Sequence, residues 1–267
     1  MKLAIIIPFK SKTVSKSWDC ACQSLYNSLL SIKNQTNSSY LALIVGHEKP
    51  EKLDDYLSDN ILFTSVNFPP PDKNSSSFDI LDYSLDKNKK IALGVQYLIK
   101  KKEKIGYWYQ LDSDDLLSHN FVETILTHTP KPGFIIEHGY FYYQKQKRLI
   151  PENNLSVFCG SVLVIADEHM TKPQVDLTIV DNVTRKNISV VPWCRYAHFN
   201  YYNFFIEELS TNATVINKKL LCYVLANGHN ISDARRNKWI IKLKQFLKPY
   251  IKGIRINKEL SKQFSIL

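Results

Sequence analysis

Three carboxylates fall within four residues at Asp112-Ser113-Asp114-Asp115, directly after the aromatic, apolar run Tyr107-Trp108-Tyr109-Gln110-Leu111. Carboxylates this close repel one another, so each resists ionising unless a cation or hydrogen-bond donors compensate. A divalent ion is one such compensation, because Mg²⁺ and Mn²⁺ take hard oxygen ligands. Bound there, it would bridge a diphosphate and neutralise charge developing on a leaving group. The plainer explanation is an acidic helix cap, since Asp and Ser cap helices and a helical segment follows. Position at the end of an apolar strand, before Leu116-Leu117, favours the phosphate-handling reading.

The surrounding pattern must place that cluster. Lys2–Ile7 is a continuous apolar, β-branched run, as in a strand buried on both faces. A helix is expected over Trp18–Lys33 and a second buried strand over Tyr40–Val45, stopped by Gly46. A polar stretch with Pro69–Pro71 and Ser75–Ser77 reads as loop. Ile91, Val95, Leu98 and Ile99 carry a helix over Asp86–Lys102, followed by a strand at Tyr107–Leu111 and a helix at His119–His128. This alternation predicts an open, mostly parallel α/β sheet, which binds ligands beyond the carboxyl ends of its strands. Pro8-Phe9-Lys10 and the Asp112 cluster then face one cleft. The second half is less regular. Strands are expected at Gly133–Tyr143, Leu155–Ile165 (interrupted by Cys159-Gly160-Ser161), Ile188–Val191 and Leu220–Leu225, with a boundary near Gly228–Asp233.

Ile5-Ile6-Ile7-Pro8-Phe9-Lys10, with Tyr107–Leu111 running into Asp112-Ser-Asp-Asp115, resembles the family 2 glycosyltransferases of the GT-A fold, of the bacterial surface-polysaccharide type. The likeness spans roughly residues 1–165, with Cys159-Gly160-Ser161 similar to the family's Gly-containing acceptor-side strand. It implies a Rossmann-like open sheet flanked by helices. Residues 1–232 would be the catalytic domain, with 1–118 the donor half and 119–232 the acceptor half. It also implies transfer of a sugar from a nucleotide-diphosphate sugar, UDP favoured, to a saccharide or lipid-linked glycan acceptor, with Mn²⁺ or Mg²⁺. Pro8, Phe9 and Lys10 would line the nucleotide pocket, and Glu48 would contact base or ribose. Lys89 or Lys90, near Asp86, would contact the donor. Asp112 and Ser113 would touch donor, while Asp112, Asp114, Asp115 and the turn residue His229 would serve the metal. The second strand ends Gly46-His-Glu-Lys, unlike the family's Asp-rich ending. The family's Glu-Asp pair after Cys159-Gly160 is also missing. An inverting reaction needs a base; of Asp167, Glu168, Asp176, Asp181, Glu207 and Glu208, Asp181 has the most suitable spacing, with Asp176 behind it. His198 lies in an aromatic run read as acceptor wall or core.

The bulk numbers set limits. With 267 residues, 44% hydrophobic and 22% charged, the chain can bury one substantial core. Five cysteines without paired C-x-x-C spacing suit reduced thiols in the cytoplasm. The apolar run Leu3–Ile7 is too short for a signal peptide, and no stretch approaches the ~18 apolar residues of a spanning helix. Charge is uneven: residues 235–267 hold ten Lys/Arg and one acid, Glu259, against 25 bases and 24 acids before them. Within this 233–267 tail, Trp239, Ile240, Leu243, Phe246, Leu247, Tyr250, Ile251 and Ile254 recur at steps of three and four. That is a basic amphipathic helix, suited through residues 235–255 to an anionic membrane surface at the inner face of the plasma membrane, or to docking on the body. No nucleic-acid partner is expected, as no recognition motif accompanies the lysines. A nucleotidyltransferase is the alternative of similar chemistry, although Pro8-Phe9-Lys10-Ser11 lacks a glycine-rich loop. A non-catalytic membrane or nucleic-acid binding module would leave the Asp112 cluster unexplained.

Overall fold

The structure, a computed structural model, describes residues 1–128, 131–225 and 239–266. Strands β1 (Lys2–Pro8) and β2 (Tyr40–Gly46) pair in parallel and have no exposed position, as strands covered on both faces require. Strand β3 (Ile61–Ser65) extends the sheet beyond β2, and β4 (Ile105–Gln110) lies parallel on the other side of β1. Helix α1 (Trp18–Lys33) joins β1 to β2; Ser17 caps it, its hydroxyl accepting from the Cys20 amide at 3.3 Å. Helix α2 (Leu81–Lys100) precedes β4 and packs closely on the sheet at Gly94, where a Cβ would meet Ile6 Cγ2 at 2.7 Å.

Strands β5 (Leu116–Leu117), β6 (Gly133–Ile135), β7 (Gly139–Tyr143), β8 (Arg148–Glu152), β9 (Leu163–Ala166), β10 (Thr214–Val215), β11 (Leu221–Leu225) and β12 (Ile254–Arg255) complete the set, with α3 (Phe121–Thr127) between β5 and β6. The main sheet runs β10-β6-β9-β4-β1-β2-β3. Strand β9 is antiparallel to both its neighbours, so the sheet is mixed rather than the open, mostly parallel one expected. A second sheet, β12-β8-β7-β11-β5, has only its β7–β11 pairing parallel. The architecture is mixed α/β.

Other expectations shift for local reasons. Ile188–Val191 was expected as a strand, but Ile188 ends a helical turn (Arg185–Ile188) capped by Thr184, and Pro192 opens the next turn. Of Leu155–Ile165 only the end is strand; Leu155–Val157 is a 3₁₀ turn, and Cys159–Ser161 turns inward to bond a buried carboxyl. A helix spans Trp239–Lys252; residues 235–238 of the expected amphipathic segment lie outside the described residues. After it, β12 pairs with β8, and a helix over Lys258–Phe264 seats Phe264 in a small apolar cluster with Tyr140 and Leu149. Gln263 also accepts from the His119 amide through its carbonyl at 2.7 Å. The last described residues are therefore part of the body. Among the described residues no helix is long and apolar enough to cross a membrane.

Candidate active site

The β1–β4 register brings the two expected motifs together. Ile6 lies opposite Gln110, and Ile6 accepts from the Leu111 amide at 2.9 Å, so the segments leaving both strands emerge side by side. They border a cleft of about 610 Å³ lined by Pro8, Phe9, Lys10, Asp112, Ser113 and Asp114, with Lys87 of α2 and Gly160 opposite. Helix α1 holds the acidic loop from behind. Ser28 donates to the Ser113 carbonyl at 3.1 Å, the Leu117 amide donates to Ser31 Oγ at 3.1 Å, and Gln35 donates to the Ser118 carbonyl at 2.8 Å. Ser28 and Ser31 sit on a face of α1 that the apolar period does not reveal, and Gln35 lies just past its end.

The three aspartates have three different environments. Asp112 Oδ1 takes the Lys87 ammonium at 2.5 Å and the Gln110 amide nitrogen at 2.7 Å. Desolvation alone would lower the Lys87 pKa, but the Asp112 contact more than offsets it and leaves that lysine above its ordinary value. Asp114 sits in the cleft, where burial and then the Asp112 charge raise its pKa to about 6, with Lys10 opposing. Asp115 points away from the cleft and is fully buried. Its Oδ2 accepts from Ser161 Oγ at 2.7 Å and Cys159 Sγ at 3.1 Å, and its Oδ1 from the Val224 amide at 3.3 Å. Burial, then the Asp114 and Asp112 charges, push its pKa well up. Asp115 is therefore a structural knot between β4, β11 and the Cys159–Ser161 turn rather than a metal ligand. The acidic-cap explanation also fails, because α3 starts at Phe121 behind Asn120 and no side chain caps it.

Five lysines line the cleft (Lys10, Lys16, Lys73, Lys87, Lys90) against Asp86, Asp112 and Asp114. Lys90 is fully buried, an arrangement tolerated only with a partner. Asp86 supplies it at 2.6 Å, while His47 Nε2 meets the other Asp86 oxygen at 2.8 Å. Burial raises the Asp86 pKa, but the His47 hydrogen bond and Lys90 charge outweigh it, leaving that carboxyl below its usual range. Of the two lysines the sequence singled out, Lys90 lines the cleft, whereas Lys89 lies over the Phe68 ring at 5.2 Å. Lys87, which sequence reasoning missed, is the one that reaches Asp112. Tyr83, Lys87 and Lys90 share one helix face at spacings of four and three, a signal that would have picked it out.

The other expected residues are placed apart. Glu48 does not line the cleft; its Oε2 accepts from the Lys12 amide at 3.0 Å and steadies the loop after β1. Asp176 is exposed, bonded to the Thr178 hydroxyl and amide, and 3.6 Å from Lys100 at the far end of α2. Thirteen helical residues, about 20 Å, separate Lys100 from Lys87. Asp181, exposed in a turn beyond Thr178, does not line the cleft either. Neither acid can serve as base there. His229 lies outside the described residues. His198 does line the cleft, beside Phe158 and Tyr223. Its Nδ1 is 2.6 Å from the Ser156 carbonyl, which can only accept, so Nδ1 carries a proton and the ring is held with Nε2 as its other polar atom.

Among the described residues no three His, Cys, Asp or Glu side chains are grouped to hold a metal by themselves. Mg²⁺ in phosphate sites is commonly held by one or two carboxylates, with substrate phosphates and waters completing the shell. Asp112 and Asp114 fit that partial donor set. Beside them, Gln110 Oε1 is buried with no hydrogen-bond donor among the described residues. A Cβ at Gly160 would lie 3.2 Å from Lys87 Nζ and 3.5 Å from both Gln110 Oε1 and Asp112 Oδ2, so this backbone directly borders the Lys87–Asp112 pair.

No family model matches the chain, and no curated protein matches it. Among solved structures, the crystal structure of S. aureus TarS is similar with a TM-score of 0.41 and 9% identity. The similarity covers 91% of this chain, which spans 39% of that one.

Proposed function

We propose that this chain is a GT-A-type glycosyltransferase that moves a sugar from a nucleotide-diphosphate sugar, UDP favoured, to a saccharide or lipid-linked glycan acceptor in surface glycan synthesis. The observation that carries the reading is the pairing of Asp112 and Asp114 with five lysines in one cleft at the carboxyl ends of β1 and β4. Lysines suit a diphosphate, and carboxylates suit sugar and ribose hydroxyls or a cation. In the reaction, the acceptor oxygen bonds to the anomeric carbon as the bond from that carbon to the diphosphate breaks. Attack from the opposite face inverts the centre. Lys10, Lys16, Lys73 and Lys87 stabilise the diphosphate as it leaves. Mg²⁺ or Mn²⁺, held by Asp112 and Asp114, would add Lewis-acid neutralisation of the same leaving group.

His198 Nε2 is the group best placed to take the acceptor proton, since its other nitrogen is tied to Ser156. His198→Gln should lower kcat by roughly 10²- to 10⁴-fold while leaving the donor dissociation constant unchanged. A matching loss of donor affinity would make His198 part of the donor site instead. Binding is tested by thermal shift with UDP, with and without Mn²⁺. The reading predicts stabilisation by UDP that grows with Mn²⁺, and a non-catalytic module should show none.

A further inference from the structure

The helix Trp239–Lys252 is seated on the second sheet in one orientation. Pro249 is buried, Lys248 Nζ lies 5.5 Å over the Phe141 ring, and Arg148 lies 5.4 Å over Tyr250. Arg148 also donates to the Gly253 carbonyl at 3.2 Å. This leaves a row of large apolar side chains facing outward. Phe246 is 53% exposed, Leu247 42%, Tyr250 48%, Ile251 78% and Ile254 41%. Positions 247, 250 and 251 follow the three-and-four spacing of one helix face, and Ile254 follows just past the helix end at the start of β12. Five such groups in nine residues form a contiguous patch rather than scattered exposure, and such patches mark interaction sites.

Charge identifies the partner. Beside the patch runs a groove of about 510 Å³ whose walls carry Lys147, Arg148, Arg255 and Lys258, with no carboxylate among its lining residues. Lys147 ends the turn before β8 and Arg148 opens that strand, about a hundred residues from the tail, so the basic surface is composite. Pairing of β12 with β8 fixes Arg255 opposite Arg148. Like charges held together this way favour an anionic occupant. Gln146, Asn257 and Ser261 add polar groups to the same groove.

We propose that this face docks on an anionic bilayer leaflet. Phe246, Leu247, Ile251 and Ile254 enter the interface, and a hydroxyl-bearing anionic headgroup such as phosphatidylglycerol occupies the basic groove. The surface does not depend on the glycosyltransferase reading.

The test is flotation of the full chain with phosphatidylcholine vesicles and with phosphatidylcholine–phosphatidylglycerol vesicles, at low and high salt. The expected result is binding to the anionic vesicles alone, weakened by salt. Each of Lys147→Gln, Arg255→Gln and Lys258→Gln should weaken binding about fivefold. The pair Phe246→Ser with Ile251→Ser should weaken it more than about tenfold. Thermal melting confirms that these exposed substitutions leave the fold intact. Equal binding to neutral vesicles, no binding to anionic vesicles at low salt, or variants that bind like the parent would each overturn the proposal. Concentration-dependent dimerisation that Ile251→Ser abolishes would assign the face to a second copy instead.

Discussion

Asp114→Asn is expected to abolish transfer, by roughly 10³-fold or more, and to remove the Mn²⁺-dependent part of nucleotide binding. Asp114 is the cleft carboxylate under most strain. Burial and the Asp112 charge raise its pKa from 3.8 to about 6, with Lys10 and Lys87 opposing. A folded-state pKa above the ordinary value means that the native protein holds this proton more tightly than the unfolded chain. Its contribution to stability is therefore full below pH 3.8 and is lost as pH rises through 6. At pH 7.5 the ionised side chain should cost on the order of 3 kcal/mol, which the neutral isostere removes. The variant should thus be inactive yet melt higher than the parent at pH 7.5, and melt like it near pH 4. Paired melting curves and calorimetric titration of UDP with Mn²⁺ check both parts. Unchanged nucleotide binding in the variant would remove Asp114 from the donor site.

Asp115→Ala should do the reverse. It strands the Ser161 hydroxyl and the Cys159 thiol, both of which donate to that carboxyl inside the core. Leaving buried donors unpaired costs about 1–3 kcal/mol each before relaxation, so a net loss of about 3 kcal/mol is expected. In a chain of this size that corresponds to a fall in Tm of roughly 6–12 °C. Where the variant remains folded, its UDP affinity should stay within a few-fold of the parent. A variant that melts normally but no longer binds nucleotide with Mn²⁺ would return Asp115 to the metal. Two adjacent carboxylates, alike in sequence, then separate into one that serves the cleft and one that serves the core.

The sequence speaks clearly where burial and period coincide. Trp18–Lys33 matches the expected helix, because its apolar residues keep helical spacing between Ser17 and Asn34. The β1, β2 and β11 segments are legible as short apolar runs. Strand β3 went unread because it is half exposed at the sheet edge and lacks a buried run. Helix α2 opens at Leu81, five residues before its expected start, since Asp82, Tyr83 and Ser84 in its first turn show no apolar period. The cluster at Asp112–Asp115 was visible as chemistry, but direction was not. Whether a carboxylate faces cleft or core depends on the Cys159–Ser161 turn some 45 residues on, which no local pattern encodes. The place of His198 in the cleft was missed for the same reason. Spacing favoured Asp181, whereas the chain path carries that turn away from the cleft and brings His198 to it.

Incubating the full chain with a panel of nucleotide sugars and Mn²⁺, and identifying the small-molecule products, tests the central claim most directly. The account predicts that one donor, a UDP-sugar first, releases its nucleoside diphosphate above the buffer rate. Release should accelerate with a suitable saccharide acceptor and vanish in Asp114→Asn. Pyrophosphate as the product of a sugar phosphate and a nucleoside triphosphate would instead make the chain a nucleotidyltransferase, and no turnover of any donor together with no nucleotide binding would contradict the account outright.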